Sequence, residues 1–164
     1  MKSNLKFLVV LLVLNLHVIF AQSYLQSNEV CIMSFRTKNN KIVMLARDKD
    51  NKYLIYRFGT KDKIEFEFPT KTKESWTKFK YSHYSRGGGK QNLAEELRHI
   101  SFINNNFKYV IYDSYYSESD EFDIGVQVLD LKTKKLTDYE GTLNSKKGSL
   151  SFKESSKLEE DKDI

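Results

Sequence analysis

The 164-residue chain has one cysteine, one proline and seven glycines. Each scarcity removes a class of protein. With Cys31 as the only thiol, no internal disulfide can form, although small exported domains commonly rely on them. The core alone must therefore hold the fold, and a buried, inert thiol is expected at Cys31. Three histidines and one cysteine lack the spacing of a zinc site. The acidic stretch 118–123 (ESDEFD) lacks the glycine and ligand order of a calcium loop. No metal or cofactor is expected. No apolar run reaches the roughly 20 residues of a membrane span, and the positive charge is too scattered for a nucleic-acid stripe.

The N-terminus is distinctive. Lys2 and Lys6 precede a nearly unbroken apolar run, residues 7–20, and Ala21 leads into a polar sequence. This order reads as a secretory signal peptide over residues 1–21, so a secreted or periplasmic protein with no transmembrane segment after cleavage is expected. The remainder carries 25 basic and 22 acidic side chains, a net of +3. Residues 153–164 hold three lysines and five acidic groups, so the body over 22–152 is mildly basic and suits an anionic envelope partner. The charged tail has no apolar period and is expected to be disordered.

Twenty aromatic side chains follow the signal, each able to bury about 150–250 Å². Many alternate with polar residues at a period of two, the signature of half-buried strands. Ile64, Phe66 and Phe68 face one way and Glu65 and Glu67 the other, until Pro69 ends the pattern. Before them, Leu54, Tyr56 and Phe58 oppose Tyr53, Ile55 and Arg57, with a turn at residues 59–62. Strands are also expected over 30–36, 42–47, 76–84, 99–103, 107–112 and 136–143, with a short final strand over 149–152. Phe122, Ile124, Val126 and Val128 form another inward row, with Gly125 a candidate bulge. The one helical candidate, residues 91–98, spans two turns. These elements predict a single all-β domain over 22–152: an antiparallel sandwich or barrel of eight to nine strands, with one short helix at most.

The segment 81–92, YSHYSRGGGKQN, departs most from this grammar. Tyr84, Ser85, Arg86, Gly87 and Gly88 are candidate binding residues. Glycines let a backbone approach a ligand, and Arg86 offers a fork for carboxylate or phosphate. A glycine-rich connector explains the same residues. Tyr115 and Tyr116 join the candidates because tyrosine suits recognition surfaces. His83 and Ser85 supply a base and a hydroxyl, but no nucleophile-elbow pattern surrounds them. No catalytic residue is assigned, and a hydrolase is the least supported class.

The runs KIVMLARDKDNKYLIYRFGTKDKIEFEFP and SRGGG resemble a pattern in a group of uncharacterised exported bacterial all-β proteins. The likeness spans about residues 31–150 and implies no established activity. Members carry further cysteines near the positions of Ala46 and Tyr139, which this chain lacks. The resemblance directs attention to Arg57, Gly59, Glu65, Pro69 and residues 86–88, and implies an Arg57–Glu65 pair across the hairpin. The function expected is an exported, non-enzymatic binding domain for a protein or envelope component. The alternative is a periplasmic inhibitor or immunity-type protein resembling lysozyme inhibitors. Common lysozymes are basic, so the acidic stretch 118–123 would have to make that contact.

Overall fold

A computed structural model describes residues 24–87 and 93–162. The expected signal peptide, Gly88 and the first two residues of the expected helix lie outside the described residues. Ten strands run in chain order: β1 (Glu29–Thr37), β2 (Ile42–Asp48), β3 (Leu54–Thr60), β4 (Lys63–Phe68), β5 (Phe79–Arg86), β6 (Glu95–Asn104), β7 (Phe107–Tyr116), β8 (Glu121–Asp130), β9 (Leu136–Gly148) and β10 (Glu159–Glu160). They form one sheet in the order β10-β5-β6-β7-β8-β9-β1-β2-β3-β4. All neighbours are antiparallel except β10 and β5, which are parallel.

β9 turns this long meander into a half-barrel. Its first part pairs with β8, from Leu136↔Leu129 to Glu140↔Gly125. Its second part pairs with β1, from Gly141↔Thr37 to Gly148↔Met33. The strand thus passes from one half of the sheet to the other at Gly141. A Cβ at Gly141 would stand 2.6 Å from Ile124 Cγ1 and 2.7 Å from Phe35 Cδ2, so glycine allows the two halves to touch there. Inside the curl, rings from the β3–β4 hairpin meet rings from β5, β6 and β7. Phe68 stacks on Phe102 at 4.6 Å, Phe102 on Tyr109 at 4.7 Å, and Phe66 on Tyr109 at 5.4 Å. Burial of this aromatic layer takes the place of a disulfide.

The all-β expectation holds, with several corrections. The described residues form ten strands in one curled mixed sheet, rather than eight or nine in an antiparallel sandwich or closed barrel. Residues 95–98, expected to be helical, open β6. Glu95, Glu96, Leu97 and Arg98 pair with Arg86, Ser85, Tyr84 and His83 on one side and with β7 on the other. Two flanking strands override the local helix preference of this short segment. Trp76 belongs to a 3-10 turn, Lys73–Lys78, that precedes β5. Gly125 is not a bulge: the β7–β8 register runs through it unbroken. Its missing side chain instead makes room for the Tyr112 ring, because a Cβ there would lie 2.2 Å from Tyr112 Oη.

The expected final strand over 149–152 is irregular, although Leu150 is completely buried. In the described part of the charged segment beyond it, to residue 162, a 3-10 turn, Lys153–Lys157, leads to β10. Leu158 packs against the core. Asp161, only 3% exposed, accepts the Ser101 hydroxyl and lies 3.2 Å from Lys108 Nζ.

Arg57 also departs from expectation. Its partner is not Glu65, which instead binds Lys41 Nζ at 2.7 Å. The Arg57 guanidinium donates to Glu29 at 2.6 and 2.7 Å, to Glu67 at 2.6 Å and to the Tyr24 carbonyl at 2.6 Å. The side chains of Arg57 and Glu29 are wholly buried. Tyr53 donates to Glu29 as well, and Asn28 bridges Tyr53 and Asp48. The network pins the segment leading into β1 across the outer face of β3. Its role is structural.

Candidate functional site

Strand alternation places Phe79, Tyr81, His83 and Ser85 of β5 on the concave side of the sheet. Glu96, Arg98, Ile100 and Phe102 of β6 share that side, as do Tyr109, Ile111, Asp113 and Tyr115 of β7 and the row from Phe122 to Val128 of β8. At one end these rows fill the core. At the other they run past it and become polar. There the register lines up Ser85, Glu96, Tyr115 and Phe122 across four strands, with His83, Arg98, Asp113 and Ile124 in the next concave row.

The Glu96 carboxylate organises this polar end. It accepts the Ser85 hydroxyl at 2.5 Å, faces His83 Nε2 at 3.1 Å and accepts from Arg98 Nη2. Hydrogen bonds from Ser85 first and His83 next hold its carboxyl below the usual value, and the Arg98 charge adds to this. Nearby, the buried Asp113 carboxylate accepts Lys146 Nζ at 2.6 Å and the Leu150 amide at 3.1 Å. This second pair fastens β9 and the segment after it to β7 within the curl.

The chemistry of the first cluster follows from who touches whom. Nucleophilic catalysis by serine needs a base on the hydroxyl and an acid behind the base. Here the carboxylate sits between serine and histidine, and the hydroxyl donates to the acid. The depressed Glu96 is a poor proton acceptor at neutral pH, and His83 is turned toward it. Ser85, His83 and Arg98 are engaged in holding one carboxylate in place. Among the described residues, no three His, Cys, Asp or Glu side chains are grouped to hold a metal ion.

The candidate residues meet at this end of the sheet but divide between its two faces. Ser85 and Tyr115 are concave, whereas Tyr84, Arg86 and Tyr116 point to the convex side by alternation. Arg86 is bound to Glu95 at 2.8 Å and to the Leu93 carbonyl at 3.0 Å, so its fork is taken up by the residues at the start of β6. Among the described residues, nothing lies within 4 Å of the space a Gly87 side chain would occupy. Tyr84 is 48% exposed. The Tyr115 ring packs against Phe122 at 4.5 Å, and its hydroxyl donates to Asp120 at 3.3 Å. Phe122 is also 48% exposed, and Glu118, Asp120, Glu121 and Asp123 flank it in the sequence, all exposed, at and beside the β7–β8 turn.

Sequence reasoning singled out Ser85, Tyr115 and the acidic turn, but overlooked Glu96, Arg98 and Phe122 as parts of one surface. Phe122 carries a readable signal, a large aromatic inside an acidic run. Glu96 was obscured by the helical reading of its segment. Comparison with protein-family models, curated proteins and solved structures finds no match to this chain.

Proposed function

We propose that this chain is an exported, non-enzymatic binding domain that recognises a protein or envelope component through the polar end of its concave sheet face. The observation that carries this reading is the Tyr115–Phe122 pair. A half-exposed Phe122 ring leans on the partly buried Tyr115 ring, beside the Glu96 carboxylate, whose hydrogen bonds come from Ser85, His83 and Arg98. Aromatic side chains with a polar rim are the usual anchors of recognition surfaces. Export and kinship with exported bacterial proteins belong to the same proposal, on the strength of residues 1–21 and of the YRFG and IEFEFP runs.

The acidic turn around Phe122 supports a second reading, an inhibitor of a basic hydrolase of lysozyme type, because opposite charge steers such partners together. Two measurements test these readings. Tyr115→Ser with Phe122→Ser should abolish a stoichiometric complex captured from envelope extract, while Glu118→Gln with Asp120→Asn should weaken it most at low salt. A complex untouched by the aromatic pair removes the rim from consideration. In a lysozyme turbidity assay, unchanged clearing at stoichiometric excess eliminates the inhibitor reading.

A further inference from the structure

A second site lies at the opposite end of the curl, where β7 begins and β8 finishes. There the β3–β4 hairpin and the β7–β9 strands leave a pocket of about 150 Å³ between them. Tyr56, Phe58, Phe66, Tyr109 and Tyr139 line it, together with two valines of β8. Its rings brace one another: Phe66 lies 6.0 Å from Tyr56 and 5.4 Å from Tyr109, and Phe58 lies 5.6 Å from Tyr139. The lining is preformed and apolar, apart from three tyrosine hydroxyls.

Those hydroxyls are unusual. Tyr56 is only 1% exposed, yet its hydroxyl bonds to no other described residue, and the same holds for the hydroxyls of Tyr109 and Tyr139. Each has a donor and lone pairs to offer to a molecule in the pocket. Burial drives the Tyr56 phenol far above its ordinary value, and the neighbouring Tyr109, Tyr139 and Tyr24 push it further. Burial first and then Tyr139 raise Tyr109 as well. The Tyr56 and Tyr109 rings lie 6.5 Å apart, and both phenols are held in the protonated form. A charged ligand would lose its hydration there without gaining a counter-charge, whereas a neutral one with a polar atom would satisfy them.

We propose that this pocket binds a compact neutral molecule, about one aromatic ring in size, that carries a single hydrogen-bonding group. A cavity of about 150 Å³ is known to admit a benzene ring. The site is separate from the Tyr115–Phe122 rim and does not depend on it.

Calorimetric titration with p-cresol, toluene and benzoate provides the test. The expected result is saturable p-cresol binding with Kd between about 10 µM and 1 mM, a range open to compact ligands. Toluene should bind more weakly, and benzoate should not bind. Tyr56→Phe and Tyr139→Phe keep the rings and should each reduce p-cresol affinity by about three- to tenfold while leaving toluene unchanged, as expected for a lost hydrogen bond. Val128→Phe should fill the pocket and abolish both. Absence of binding by p-cresol, equal affinity for benzoate, or full binding in the Val128→Phe variant would each overturn the proposal. None of these outcomes bears on the rim, which the serine variants test.

Discussion

Arg57 shows what one residue contributes to a core without disulfides. Four hydrogen bonds, two of them a bidentate pair to Glu29, compensate for burying its charge, and removing one partner would leave the other uncompensated. Burial alone would raise the Glu29 carboxyl. Hydrogen bonds from Arg57, the Gln26 amide and Tyr53, with the Arg57 charge, bring it below its ordinary 4.5. A carboxyl lowered in the folded state stabilises the protein above its unfolded pKa, and that contribution disappears as pH falls through the folded value. Glu29→Gln should therefore cost about 3–5 kcal/mol at pH 7, measured by urea unfolding. The gap from the parent protein should narrow below about pH 4.5. A constant gap across that range would show that Glu29 is not the titrating group. The sequence revealed that Arg57 opposes the inward face of β3, but not that the segment from Tyr24 to Glu29 would cover it.

Among the elements, the segment after Phe152 is the least legible from sequence. Its charges and lack of period indicate disorder, because no local pattern declares that Leu158 will reach the core or that Asp161 will meet Ser101 and Lys108. Those partners lie some 50 to 60 residues away. A chain ending at Phe152 should melt about 4–10 °C lower, consistent with losing one packed leucine and one buried polar contact, as read by circular dichroism. An unchanged melting temperature would mean that β10 contributes nothing to the fold. β6 poses the opposite problem. Its first residues favour helix locally and become a strand because β5 and β7 supply backbone partners on both sides. With that change Glu96 moves beside Ser85 and His83, so misreading one element concealed the organising residue of the rim.

Across the whole molecule, the two halves of the sheet share one aromatic layer, and Phe102 occupies its centre. It touches Tyr56, Phe66, Phe68, Phe79 and Tyr109. Phe102→Ala should destabilise the protein by about 3–5 kcal/mol. Because the layer joins both halves, unfolding should remain a single transition. Trp76, the only tryptophan, reports from beside β5, so its fluorescence and the far-ultraviolet circular dichroism should change together. Separate midpoints would mean that the halves fold independently.

Fold class and most strand positions follow from the chain alone, since a period of two in aromatic and branched residues is a local property of the backbone. The turns at Asn40, Asn51 and Asn105 are local too: each takes a positive φ between 54 and 60°, which asparagine tolerates. Closure was decided by contacts between distant residues. Gly141 lets β9 change partners, Arg57 gathers two carboxylates and a carbonyl from two segments, and Tyr56, Tyr109 and Tyr139 come to one pocket from three strands. Each depends on which strands become neighbours, and a one-dimensional pattern does not encode that choice.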